Sequence, residues 1–334
     1  MEAKSVATLP EGDGWQYEPK WDGFRCLAFR DGETIALRSK SGQGLERYFP
    51  EIVAALAALP AKRFVLDGEL VVPDGAALSF EALLMRIHPA ASRVTKLARE
   101  QPAVYVVFDL LADERGRPLV EKSLAERRVA LEAFAAARLA GAERFRLSPA
   151  TTVLADAERW LAGLGTGLDG IIAKRLDRAY APGERTAMQK WKRLRTADCV
   201  VGGFRYGSTT NLVGSLLLGL FDDEGLLHHV GFTSNIPAGE RETLTRALEQ
   251  LRGDPGFTGR APGGPSRWSS ERSAEWEPLA TKLVVEVQYD HFSGGRFRHG
   301  TKFLRWRPDK APKACTLAQV AQVANVAAPL AASA

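Results

Sequence analysis

The chain has 334 residues, and its 45 Lys and Arg against 40 Asp and Glu leave a net charge of +5 with histidine neutral. At 45% apolar and 25% charged residues the composition is that of folded protein, which excludes disordered, collagen-like and coiled-coil chains, and the length suits about two domains. No apolar run approaches the ~20 residues of a membrane span, and Met1–Pro10 lacks the basic and apolar regions of a secretory signal, so neither membrane nor export is expected.

In the first two thirds, β-branched or aromatic runs alternate with helical stretches. Strands are expected at Phe24–Arg30, Thr34–Ser39, Phe64–Val72, Val104–Leu110 and Gly170–Lys174. Helices are expected at Glu51–Leu59, Phe80–Arg86, Ser123–Ala137 and Ala155–Leu164. The Asp31-Gly32 pair marks a tight hairpin, so the first two strands run antiparallel and the domain is mixed α+β. Past Trp191 the texture changes to strands at Cys199–Tyr206, Gly214–Phe221, Leu226–Phe232 and Leu283–Tyr289, interrupted by one helix at Gly239–Leu251. That pattern suits a small β-barrel of the oligonucleotide-binding (OB) type. Gly253–Ser270 reads as a loop, and the Ala-rich Thr316–Ala334 as a helix or frayed tail. The expected division is therefore 1–195, 196–315 and a tail at 316–334. Cys26, Cys199 and Cys315 are odd in number and lack CxxC spacing, which speaks against disulfides or a zinc cluster and for a reducing cytoplasm.

The modest net charge hides two basic stretches. Arg185, Lys190, Lys192, Arg193 and Arg195 fall together without an acid; Arg296, Arg298, Lys302, Arg305, Arg307, Lys310 and Lys313 face only Asp309. Either alone suits a solvated face, but the two together point to a polyanion bound through counterion release, with affinity sensitive to salt rather than to base sequence.

Chemistry concentrates in a few short motifs: Glu18-Pro19-Lys20-Trp21-Asp22-Gly23-Phe24-Arg25, Leu66-Asp67-Gly68-Glu69-Leu70, Val107-Phe108-Asp109-Leu110 and Leu168-Asp169-Gly170-Ile171-Ile172-Ala173-Lys174-Arg175. Each alone is an ordinary turn or strand end. A lysine becomes a nucleophile when neighbouring cations or desolvation lower its pKa, and cations are abundant around Lys190 and Lys192. The order Lys20, Glu69, Asp169, Lys190, Lys192 in these contexts resembles the covalent nucleotidyltransferase superfamily, specifically ATP-dependent DNA ligases, over nearly the whole chain. The segments Val284–Val287 and His291–Gly300 look like the DNA ligase C group of bacteria.

The resemblance implies a nucleotidyltransferase (adenylation) domain followed by an OB-fold domain, with ATP and Mg²⁺, or Mn²⁺, as cofactors. Lys20 falls on the KxDG lysine that takes AMP covalently, with Asp22 of the same motif as a second catalytic residue. Glu18 falls on the adenine-recognition position, and Arg25 on the arginine that contacts the nucleotide. Ser39-Lys40-Ser41 replaces a Ser-Arg-Asn motif, so Lys40 keeps the charge but not the bidentate geometry. Glu69 matches the glutamate associated with ribose and metal, Phe108 the aromatic that stacks on adenine, and Ile172 the cover on the other face of the base. Asp169 stands where the family usually has Glu, one methylene shorter, as the second metal residue. Lys190 and Lys192 match the paired lysines on the α-phosphate, Arg185 an upstream nucleotide-contacting arginine, and Arg307 in Arg307-Pro308-Asp309-Lys310 the residue that orients the pyrophosphate leaving group.

By the same resemblance Arg193, Arg195, Arg296, Arg298 and Lys302 would contact nicked double-stranded DNA. A monomer acting in DNA repair in the bacterial cytoplasm, at the nucleoid, sometimes beside Ku and a primase-like polymerase, would follow. The link at Arg195–Asp198 would let the barrel reorient between enzyme adenylation and sealing. An RNA ligase or a capping guanylyltransferase also uses a KxDG lysine, and a noncatalytic oligonucleotide-binding chain would keep the barrel. The Trp306–Lys310 ending and the motifs on both domains favour DNA ligase.

Overall fold

The computed structural model describes residues 1–75, 77–163, 168–208, 210–263 and 275–321, and the chain divides after Lys192 into two units. The first contains β1 (Lys4–Val6), β2 (Trp15–Pro19), β3 (Phe24–Asp31), β4 (Thr34–Ser39), α1 (Pro50–Ala58), β5 (Arg63–Val71), a hairpin of β6 (Pro73–Asp74) and β7 (Ala77–Leu78), α2 (Phe80–Arg86) and α3 (Ala91–Glu100). It continues through β8 (Val104–Ala112), α4 (Leu124–Phe134), β9 (Phe145–Leu147), α5 (Leu154–Gly163), β10 (Gly170–Arg175) and β11 (Met188–Lys192). These build a five-stranded sheet, β4-β3-β5-β8-β9, and a four-stranded sheet, β1-β11-β10-β2. Both are antiparallel except at β8–β9 and β1–β11, so the mixed α+β architecture holds.

The elements arise where a periodic apolar face can be buried. On the five-stranded sheet, Leu66, Leu70 and Tyr105 pack against Ile52 and Leu56 of α1 and Leu131 and Phe134 of α4. Each fully buried side chain of this size contributes roughly 1.5–3 kcal/mol. Ser123, expected inside α4, instead caps it: its Oγ accepts from the Glu126 amide at 3.3 Å while the Glu126 carboxylate accepts from the Ser123 amide at 3.0 Å. Beyond Phe134 the helix widens into a π-helical turn, Ala135–Leu139. The helix α3 is not marked in the sequence because its buried stripe is narrow, Val94 and Ala98 in an otherwise polar segment.

The second unit contains β12 (Arg195–Tyr206), β13 (Val213–Phe221), β14 (Leu227–Thr233), α6 (Arg241–Gln250), β15 (Glu277–Pro278), β16 (Val284–Tyr289), β17 (Phe292–Ser293), β18 (Arg296–Phe297) and β19 (Lys302–Trp306). Its main path is β14-β13-β12-β16-β19, antiparallel throughout, with β15 beside β12. The expected OB barrel takes the form of a curled sheet whose edges touch at one parallel bridge, Thr233 to Thr301, where Thr233 Oγ1 donates to the Thr301 carbonyl at 3.0 Å. Phe204, Leu216, Leu218, Leu220, Val285 and Val287 fill its core.

Arg195–Asp198, expected as the link, are instead the first rungs of β12, opposite Tyr289–Glu286; Arg193 and Leu194 lie between β11 and β12. The change in composition past Trp191 hides the fact that Thr196–Asp198 continue the ladder. Cys315 and Val320 are buried, Thr316 bridges Phe221, and Leu317–Val320 form a 3₁₀ turn. Residues 322–334 of the expected tail, and 264–270 of the expected loop, lie outside the described residues. The three cysteines are buried free thiols, and no helix among the described residues is long and apolar enough to cross a membrane.

Candidate active site

The four-stranded sheet sorts its side chains by period two. Ile172 of β10 stands opposite Glu18 of β2 and Lys190 of β11; Lys174 stands opposite Gln16 and Met188, and Gly170 opposite Lys192. Because side chains alternate along a strand, these residues share one face. Tyr17, Ile171 and Ala173 take the other face and pack with Ala157 of α5. Lys20 leaves the end of β2 with its amide bonded to the Gly170 carbonyl at 3.0 Å, and the Trp21 indole anchors the turn by donating to Ser148 Oγ at 2.9 Å. Gly23 and Gly170 are glycines for lack of space: a Cβ would lie 2.2 Å from the Leu70 carbonyl oxygen at Gly23 and 1.9 Å from that of Trp191 at Gly170.

The five-stranded sheet supplies the facing wall. Arg25 stands opposite Glu69 and forks onto the buried Asp67 carboxylate at 3.1 and 2.7 Å, while the Tyr180 hydroxyl donates to the same carboxylate at 2.8 Å. Between β5 and β8 the register passes from Asp67–Asp109 to Gly68–Val107, so Phe108 is the extra residue of a β-bulge. A bulge re-aims a side chain. Here the Phe108 ring sits 4.5 Å from Lys174 Nζ and 5.8 Å from the Arg25 guanidinium carbon. The two walls enclose a cavity of about 340 Å³ lined by Glu18, Lys20, Arg25, Glu69, Phe108, Ile172, Lys174 and Lys190, with Lys40 and Arg185 at its margin.

Charge in the cavity is paired across elements. Lys20 Nζ donates to Asp169 Oδ2 at 2.7 Å. The buried Glu18 accepts from Gln16 at 2.7 Å and from Lys174 at 2.8 Å, and each of its oxygens keeps a second lone pair with which to accept from a base amino group. Burial pushes the Glu69 carboxyl up to about 8 against the pull of Lys20 and Arg25. Burial, and then the charges of Lys192, Lys20, Lys40 and Arg185, hold the Lys190 ammonium below its ordinary value. Asp22, half-buried in the Lys20 turn, adds to the negative field at Glu69. Lys20 pairs with the Asp169 carboxylate and pulls on the recessed Glu69 acid, and carboxylate oxygens are the kind of donor that hard divalent cations take.

The other expected residues belong to the second unit. The Arg307 guanidinium is held by Asp309 at 2.8 Å and Asp198 at 2.8 Å, with Lys310 sharing Asp198 at 3.5 Å. Arg193, Arg296 and Lys302 are exposed, Arg298 is half-buried with its amide on the His291 carbonyl at 3.0 Å, and Arg195 opens β12 opposite Tyr289. Lys174, Gln16 and Asp67 are site residues that sequence reasoning missed, although period two from Ile172, Glu18 and Glu69 points to each. Tyr180 and Glu2 carry no local signal; only the fold brings Tyr180 to Asp67 and Glu2 to the pocket.

A family model described as ATP dependent DNA ligase domain matches residues 2–192, and one described as ATP dependent DNA ligase C terminal region matches residues 209–310. DNA ligase C2 of Mycolicibacterium smegmatis is 46% identical, over 96% of this chain and 93% of that protein. DNA ligase C of Mycobacterium tuberculosis is 43% identical, over 96% of this chain and 92% of that protein. Among solved structures, a Lig E DNA ligase superposes with a TM-score of 0.55 at 16% identity, covering 92% of this chain and 100% of that chain, which is a likeness of fold.

Proposed function

The chain belongs to the ATP-dependent DNA ligases, which join 5′-phosphate to 3′-hydroxyl ends at nicks, and on that premise we propose that its cavity takes ATP and that Lys20 carries AMP as a covalent intermediate. The observation that carries this reading is the convergence in one cavity of Lys20, the Phe108 and Ile172 surfaces, the Glu69 carboxyl and the cations Arg25 and Lys190, with Asp169 paired to Lys20. The base lies between Phe108 and Ile172 with Glu18 accepting from its amino group, and Lys190 and Lys192 meet charge on the α-phosphate.

The Lys20 amine, after losing its proton to solvent, attacks the α-phosphorus; an N–P bond forms and the bond to pyrophosphate breaks. Glu69 and Asp169 are the residues to hold Mg²⁺ or Mn²⁺, which when bound neutralises triphosphate charge. The nick's 5′-phosphate then takes the adenylate from Lys20, and the 3′-hydroxyl displaces AMP. No histidine base is required, because phosphoryl transfer is largely positioning and charge stabilisation. Arg307 serves the pyrophosphate step, and Arg193, Arg195, Arg296, Arg298 and Lys302 serve the DNA backbone. The setting we propose is DNA repair by a monomer in the bacterial cytoplasm, at the nucleoid, with Ku and a primase-like polymerase as partners; the likeness to ligase C proteins of bacteria supports it.

The test is mass spectrometry after incubation with ATP and Mg²⁺. Lys20 should gain roughly 329 Da, AMP minus water, and Lys20→Ala should lose both the adduct and nick sealing while unfolding within about 1 kcal/mol of the parent, as expected on removing one partly exposed ion pair. Sealing by the Lys20→Ala protein would refute the assignment.

A further inference from the structure

The strand β1 runs parallel to β11 with Ser5 opposite Lys190, which carries the chain upstream of it across the margin of the nucleotide cavity. There the Glu2 amide donates to the Glu184 carbonyl at 2.8 Å and fixes the backbone. The Glu2 carboxylate then divides between two cations, with Oε1 on Lys40 Nζ at 2.8 Å and Oε2 on Arg185 Nε at 2.9 Å. Those two hydrogen bonds hold the acid down to about 2, so it is ionised at any working pH. Two oxygens on one carbon, carrying a negative charge between a lysine and an arginine, present the same acceptor chemistry as two oxygens of a phosphate.

Lys40 and Arg185 are 64% and 70% exposed, and ion pairs at such exposure are exchanged at little cost. Glu18 and Asp169 pair instead with the more buried Lys174 and Lys20, so Glu2 is the acid that stands on the marginal pair.

We propose that Glu2 is a built-in counter-anion of the nucleotide site: its carboxylate occupies Lys40 and Arg185 until the polyphosphate of ATP displaces it, and it takes them back as pyrophosphate departs. It thereby weakens the affinity for ATP and speeds the release of pyrophosphate, and no bond is made or broken. This rests on the ATP-site reading above.

The experiment compares the full-length protein with Glu2→Gln and Glu2→Ala, which remove the charge with and without the hydrogen-bonding amide. Two quantities are read: the KM for ATP in lysyl-AMP formation, and the affinity for pyrophosphate alone by titration calorimetry. Both variants should show a KM for ATP and a Kd for pyrophosphate lower by roughly three- to tenfold, the range that two exposed ion pairs command, and the difference should shrink in high salt. Values equal to the parent's, or a raised KM, with the adduct still formed, would overturn the inference alone and in the second case make Glu2 a positioning group for Lys40 and Arg185. Absence of the adduct from the parent protein would overturn the ATP-site reading together with it.

Discussion

A side chain in this pocket does what its nearest partner permits. Lys20 is held by Asp169, Arg25 by Asp67 and Tyr180, and Glu18 by Lys174 and Gln16, so each ligand-facing group is oriented before any ligand arrives. Glu69 is the exception with a titration consequence. Burial raises its carboxyl to about 8, so near neutral pH the protonated form predominates, and the carboxylate that would hold a divalent cation in the proposed site grows as pH rises through that value. The rate of lysyl-AMP formation at limiting Mg²⁺ should therefore fall below pH about 8, and saturating Mg²⁺ should move that limb to lower pH by favouring the ionised acid. Glu69→Gln should abolish the limb together with most of the rate. A limb that stays in place as Mg²⁺ is varied would remove Glu69 from the metal's ligands. Lys20, Glu18 and Glu69 were legible from their motifs, whereas Asp67 and Tyr180 act through Arg25 and became visible only as its partners.

At the scale of elements, the rungs of β2, β10 and β11 deliver Glu18, Ile172 and Lys190 side by side, and the glycine of the Asp169-Gly170 pair lets β11 come close enough to do so. A methyl group at Gly170 would meet the Trp191 carbonyl, which is backbone and cannot swing aside. Gly170→Ala should cost about 2–3 kcal/mol in urea unfolding, at the upper end for overpacking, and should slow lysyl-AMP formation because the displaced strand carries Lys190 and Lys192. Unchanged stability would mean that the spacing of β10 and β11 has slack. The strands of the core were readable because alternation is a local signal. The bulge that turns Phe108 into the cavity was not, since it depends on which residues of β5 and β8 lie opposite one another.

At the scale of the whole molecule, the two basic stretches make separable contributions. Arg185 and Lys190 of the first stretch line the nucleotide cavity, and the exposed Arg296 and Lys302, with Arg298 between them, sit on the second unit. Replacing Arg296, Arg298 and Lys302 together by Ala should leave lysyl-AMP formation intact and weaken binding to nicked DNA. The slope of log affinity against log salt should fall by about one for each phosphate that is no longer neutralised. An unchanged slope would place the DNA backbone elsewhere. Taken alone, the sequence determined the family and the α+β and OB organisation and pointed to Lys20 as the proposed nucleophile, because those reside in short motifs and in period-two or helical patterns read over neighbouring residues. Only the tertiary structure decided that Asp169 pairs with Lys20, that Lys174 lies between Glu18 and Phe108, that Arg195–Asp198 belong to a strand, and that Glu2 reaches Lys40 and Arg185. These are meetings between residues far apart in the chain, set by sheet register and by which groups the buried faces leave over.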